Sequence, residues 1–181
     1  MDGWIISKED DDLVENLDVL DENTFEYLIK KRIYQNIDTF SVITAEAPTQ
    51  HPNEDRKIRP CMVVMKKENG KIAAFQITSV GPTGDKRSSN KSPISYKRYG
   101  LVKPSYINYD HFVFVDQNHL NKDMGTELSF SDIENLYENI KNNYERLITY
   151  SFKGDFKKDL DAFIESMERR LGIIDYPIQK N

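Results

Sequence analysis

Apolar residues recur at helical spacing toward both ends of the chain and gather into short runs in its middle. Leu13, Val14, Leu17 and Leu20 share one helical face, and Ser7 with Asp10 suits the opening of that helix. Asn23 with Glu26 has the spacing of a capping box ahead of Phe25, Leu28, Ile29 and Ile33, so residues 8–35 read as helical. Thr39–Ala47 is rich in β-branched residues and stops at Pro48, and Cys61–Met65 is a continuous apolar run after Pro60. Asn69-Gly70 tolerates the positive φ of a tight hairpin, with Lys71–Val80 as the returning strand. Residues 81–98 form a long polar stretch without an apolar period, read as a loop, and Tyr99–Val102 and His111–Val115 read as two further strands.

The last third returns to helical spacing. Ser131 and Glu134 form a second capping-box pattern, followed by a stripe of Ile133, Leu136, Tyr137, Ile140, Tyr144, Leu147 and Ile148. After Gly154, Phe156, Leu160, Phe163, Ile164, Met167 and Leu171 make another amphipathic helix, stopped by Gly172 and Pro177. Helices, about five short strands, then helices again predict an α+β fold. Its centre is a small, strongly bent antiparallel barrel over residues 38–118. The expected organisation is an acidic helical segment over 1–37, a barrel with its helix over 38–150, and a further helix and tail over 151–181.

Composition narrows the function classes. The 181 residues are 38% apolar and 30% charged, which suits one folded domain with appendages. A single Cys excludes an internal disulfide and a multi-cysteine zinc site, and the His at 51, 111 and 119 offer little to a metal cluster. No metal or other cofactor is expected. No apolar run approaches the ~20 residues of a membrane-spanning helix, and the opening MDGWIISKEDDD lacks a secretory pattern, so a soluble cytoplasmic protein is expected. The net charge of −5 conceals an asymmetry. Residues 1–55 hold 14 acidic and 4 basic side chains, 56–103 hold 2 and 12, and 104–181 hold 14 and 9. A basic middle suits a polyanion, meaning nucleic acid or a phosphate-bearing ligand, and it equally suits contact with the chain's own acidic ends.

No glycine-rich phosphate loop, G-x-S-x-G or H-E-x-x-H motif is present. Cys61, inside CMVVM, reads as a small core residue. The chemistry concentrates at Glu54-Asp55-Arg56-Lys57-Ile58-Arg59-Pro60, which feeds the apolar run, and at Ile77-Thr78-Ser79 closing the next strand. In a hairpin turning at Asn69-Gly70, Arg59 and Ser79 lie nearly equidistant from the turn, so Arg59 and Thr78 meet at one end of the sheet. A guanidinium beside a hydroxyl is a plausible phosphate anchor. Pairing of Arg59 with Glu54 or Asp55 is the plainer alternative.

These same residues carry a family resemblance. Glu54, Arg59-Pro60 and Val63, followed by Ile77-Thr78-Ser79, the stretch Gly100–Ser105 and the helix entry Leu128–Ile133, together resemble the PemK/MazF/Kid family of toxin endoribonucleases over residues 40–148. The resemblance implies an SH3-like barrel, usually a homodimer, that cleaves single-stranded RNA without metal and is held in check by a cognate antitoxin. By the same resemblance Arg59, Thr78 and Glu54 are catalytic. His51 is a second base candidate. Lys57, Ser79, Lys86, Arg87, Lys91, Lys97, Arg98 and Lys103 are expected to hold the RNA, and Tyr96 and Tyr99 are candidates to stack on its bases, with plain surface or core as the simpler reading of each. Lys57-Ile58 stand where the family usually has Gly, and Leu101-Val102 where it often has Gln or Asp. The layout also resembles toxins of the ToxN/AbiQ group, which share the barrel and also cut RNA, and the expected antitoxin is a protein or an RNA. The competing expectation is a non-catalytic barrel that binds a nucleic acid or a protein partner, such as a phage or plasmid accessory factor.

Overall fold

The computed structural model describes residues 21–47, 57–81, 90–150 and 155–175. Helix α1 spans Glu22–Asn36. Its N-cap is Asp21, whose carboxylate accepts from the Thr24 backbone N–H at 2.9 Å and is thereby held below the usual carboxylate range. The expected Asn23–Glu26 box is displaced by a capping group two residues earlier. The part of the expected helix before Asp21 lies outside the described residues.

Among the described residues six antiparallel strands follow: β1 (Ser41–Ala47), β2 (Lys57–Lys66), β3 (Lys71–Thr78), β4 (Lys91–Ile94), β5 (Ser105–Asp116) and β6 (Leu120–Glu127). Their order across the sheet is β4-β5-β3-β2-β1-β6. Asn69 and Gly70 both adopt positive φ, 62° and 71°, as the Asn-Gly signal requires at the β2–β3 turn.

The sheet cannot be flat. Asp116 ends β5 opposite Lys71, while Leu120 opens β6 opposite Ala45, on the far side of β3, β2 and β1. Laid flat, those positions would be about 30 Å apart at usual strand spacing and rise. Only the turn Gln117–His119 joins them, and four residue steps reach at most ~14 Å. The second half of β5 therefore folds over the sheet and meets β1, a bend located at the irregularity between Phe75 and Gln76 in the β3–β5 ladder. The result is the expected small, open antiparallel barrel.

Two apolar layers hold it. On one face Val42, Met62 and Phe75 pack against Ile133, Leu136 and Ile140 of helix α2 (Phe130–Tyr150) and Leu160, Phe163 and Met167 of α3 (Phe156–Arg170). On the other, smaller side chains (Ile43, Ala45, Cys61, Val63, Ala74) pack with Val113 and Val115 from the folded-over end of β5 and with Ile37. Ile33 and Tyr34 of α1 cover this layer. The C-terminal stripe is core as expected, and Gly172 (φ 72°) ends α3 with Ile173 N–H donating to Glu168 O at 2.8 Å.

Three expectations need correction. Tyr99–Val102 is not a strand: Tyr96–Tyr99 is a 3-10 turn closed by Gly100 at φ 67°. The polar stretch 81–98 contains β4, and β6 was not anticipated at all. The α2 cap is Ser129, whose Oγ accepts from the Asp132 backbone N–H at 3.2 Å, two residues before the expected Ser131.

Candidate functional site

The loops after β1, β3 and β4 leave one end of the sheet, and Arg59 and Thr78 stand at that end. Arg59 lies across from Ala45 on β1, and Thr78 across from Tyr106 on β5. Whether the two share a face depends on β2. Met65 pairs with Ala73, but Val63 pairs with Ala74, so Val64 is a bulge residue with no partner on β3. Val64 and Met65 consequently both pack into the larger core layer, where strict alternation would separate them. Beyond the bulge Cys61 pairs with Gln76. Continued two residues, that register brings Arg59 level with Thr78. A regular hairpin would have set Arg59 against Ser79, on the opposite face.

Arg59 shares its face with Cys61 and Val63. Burial pushes the Cys61 thiol up to about 12 while the Arg59 charge pulls the other way, which places the guanidinium within electrostatic reach of the buried sulfur. The thiol donates to Arg59's own carbonyl at 3.7 Å. Arg59 is half-buried, and its Nε is buried with no hydrogen-bond partner among the described residues. An unpaired donor of a charged group, shut away from water, is costly, and such a group is suited to an anion arriving from outside. Thr78 is half-buried. Its Oγ1 accepts from the Val80 backbone N–H at 3.2 Å, which leaves the hydroxyl proton to be donated elsewhere.

The neighbouring row on the same face is polar too. Gln76 and Asn108 pair across β3 and β5, both 9% exposed, and Lys91 on β4 lies opposite Asn108. Sequence reasoning passed over Tyr106, Gln76 and Asn108. The signal was present: Gln76 is two residues from Thr78, and Asn108 two from Tyr106, so each pair projects to one side of its strand.

The other expected residues are distributed as follows. Lys57 is exposed at the mouth, opposite Ala47, and Ser79 is exposed just past β3. Lys97 and Arg98 are exposed on the 3-10 turn after β4, and Lys103 is exposed before β5. His51, Glu54, Lys86 and Arg87 lie outside the described residues. Lys91 is engaged: its Nζ donates to Val80 O at 2.9 Å and Gly81 O at 3.3 Å. Tyr99 is 1% exposed, so it does not present a ring for stacking. Its hydroxyl donates to the buried Asp132 carboxylate and accepts from Ser129 N–H. Asp132 also accepts from Ser95 N and Oγ, so the 95–100 turn is tied to the start of α2.

A second polar knot secures the start of β4. Buried Asn90 donates to Asp110 and accepts from Arg146 of α2, and burial pushes the Asp110 carboxyl above its usual range. Among the described residues no group of three His, Cys, Asp or Glu is placed to hold a metal ion, and no helix is long and apolar enough to cross a membrane.

No family model matches the chain, and no curated protein does. Among solved structures it is similar to the Mycobacterium tuberculosis toxin MazF-mt6, with 20% identity and a TM-score of 0.42 over 57% of this chain and 96% of that one. It is also similar to a mycobacterial endoribonuclease solved in complex with its cognate antitoxin, with 9% identity and a TM-score of 0.44 over 65% of this chain and 99% of that one.

Proposed function

We propose that the chain is a toxin-like endoribonuclease of a toxin–antitoxin system, cleaving single-stranded RNA without a metal ion. The observation that supports the reading is the bulge-shifted β2–β3 register, which, continued two residues from the Cys61–Gln76 pair, sets Arg59 level with Thr78 on one face of the sheet. In this reading the nucleophile is the RNA's own 2′-hydroxyl, which attacks the adjacent phosphorus while the bond from phosphorus to the 5′-oxygen breaks, and that oxygen takes a proton from solvent and leaves as the 5′-hydroxyl. Arg59 places its planar donors on the non-bridging oxygens, where charge grows in the transition state. The Thr78 hydroxyl, its oxygen already accepting from Val80, donates to the same phosphate. Glu54, with His51 as the second candidate, takes the 2′-hydroxyl proton. Lys57, Lys97, Arg98 and Lys103 with Ser79, together with Lys86 and Arg87, hold the flanking backbone. The reading includes a cognate antitoxin, protein or RNA, as partner, a homodimer, and a cytoplasmic setting.

The test is cleavage of a single-stranded RNA in EDTA. The expected products are a 2′,3′-cyclic phosphate and a 5′-hydroxyl. A single deoxy substitution 5′ to the cut abolishes cleavage there. Cleavage that persists at the deoxy position overturns the mechanism. A folded wild-type protein that binds RNA but cuts no RNA pool overturns the nuclease reading in favour of a binding barrel.

A further inference from the structure

Lys91 was expected among the RNA-binding cations, yet the fold employs it differently. Its side chain rises from β4 on the face that carries Gln76 and Asn108, and its ammonium holds two successive carbonyls, Val80 O at 2.9 Å and Gly81 O at 3.3 Å. These belong to the segment leaving β3 just after Thr78. The same segment is approached from a second side: a Cβ at Gly81 would sit 3.3 Å from the Tyr106 hydroxyl oxygen and 3.4 Å from the ring carbon that bears it, so the backbone there lies close against Tyr106. Tyr106 is itself the cross-strand partner of Thr78. Between these two holds lies the Val80 N–H, which donates to Thr78 Oγ1 at 3.2 Å.

We infer that Lys91 and Tyr106 form a clamp on Val80-Gly81 whose purpose is to fix the Thr78 hydroxyl. The chemistry is local. A threonine hydroxyl on a strand end rotates freely and can donate or accept. With Val80 N–H delivered to its oxygen, the hydroxyl proton is directed away from the backbone, and the group becomes a donor of fixed role. Ordering that donor before an anion arrives removes a reorganisation cost from the reaction. Lys91 is thus a positioning residue acting through Val80 and Thr78. Two of an ammonium's three donors are already committed to carbonyls, so it is not a free phosphate contact. This assignment rests on the reading of Thr78 as a phosphate donor, but the clamp itself is testable without RNA.

The experiment compares Lys91→Met, Lys91→Arg and Tyr106→Leu with wild type, using amide hydrogen exchange and RNA assays. In Lys91→Met the Val80 amide loses about tenfold or more of its protection while Phe75, in the middle of β3, keeps its own. Tyr106→Leu shows the same pattern more weakly. Lys91→Arg, which can still donate to both carbonyls, retains most of it. In RNA binding, Lys91→Met leaves the salt slope unchanged while the single-turnover cleavage rate falls. Unchanged Val80 protection overturns the clamp, and so does an equal loss at Phe75, which signals general loosening. A salt slope lowered by about 0.7, the loss of one phosphate contact on a single strand, returns Lys91 to the RNA-binding set and also overturns it. If wild type cuts no RNA while Val80 loses protection in Lys91→Met, the clamp stands and only the nuclease reading falls.

Discussion

Arg59 illustrates how a single side chain is assigned by its surroundings. Arg59 is half-buried, with an Nε that has no hydrogen-bond partner among the described residues, so little of the described fold depends on its charge. Substituting it is therefore expected to spare the fold and remove the chemistry. Arg59→Ala should lower the cleavage rate on the order of 10²–10³ with an unchanged unfolding midpoint. Arg59→Lys should rescue poorly, since an ammonium cannot fork across two oxygens. Single-turnover rates alongside urea titrations check both. Cys61 beneath it gives an independent reading of the same spot. A thiol pushed up to about 12 and fully buried should resist alkylation at pH 8 in the native state and react at once in urea. Much at this scale was legible from sequence. Arg-Pro ahead of an apolar run and Thr at the end of the next strand mark the same end of the sheet, and the β2–β3 register, continued two residues from the Cys61–Gln76 pair, sets Arg59 level with Thr78. Tyr99 takes the simpler of its two readings: it is core, and its hydroxyl is held by the buried Asp132.

At the level of elements, what the sequence concealed shares a physical cause. β6, LNKDMGTE, carries little apolar alternation because it is an edge strand with one face toward solvent. β4 is four residues long and leans on Asn90, Asp110 and Arg146 as much as on its own side chains. Neither leaves a period to read. The junctions between elements rest on few groups, and their removal should be felt. Tyr99→Phe strips a donor from the buried Asp132 and should cost about 1–3 kcal/mol in denaturant unfolding. Lys67, in the β2–β3 hairpin, pairs with Asp159 of α3, whose side chain is 3% exposed. Lys67→Met leaves that carboxylate buried without its cation and should cost about 3–5 kcal/mol. The double variant with Asp159→Leu should recover most of it.

Across the whole molecule the charge division reappears as geometry. The basic middle of the chain supplies the strands and turns around Arg59, and exposed Lys57, Lys97, Arg98 and Lys103 stand around the loop end of the sheet. RNA affinity should fall steeply with salt, and neutralising Lys97, Arg98 and Lys103 together should flatten that dependence by about two units at ~0.7 per phosphate. An unaltered slope would place the strand elsewhere. The acidic residues before α1 bear on the same field. Removing residues 1–20, while keeping the Ile33 and Tyr34 that cover the smaller core layer, should raise RNA affinity at low salt without shifting the unfolding midpoint. An affinity that does not change would show that this segment does not screen the basic end.

The unpaired Val64 has a consequence for how this hairpin tolerates change in length. β2 carries one residue more than β3 can match, so the chain holds a spare, and the spare makes the hairpin asymmetric toward insertion and deletion. Dropping Val64 leaves Met65 on Ala73 and Val63 on Ala74 with alternation intact, and Arg59 stays beside Thr78. The loss is one buried valine. Adding a residue at the same point demands a second excess that the ladder has no means to absorb. The strand then slips, and the guanidinium goes to the wrong side of the sheet. A deletion variant that still cuts RNA at reduced stability, beside an insertion variant that folds and cuts nothing, is the expected outcome. Shorter versions of this hairpin should therefore keep the site, and versions longer by one should lose it.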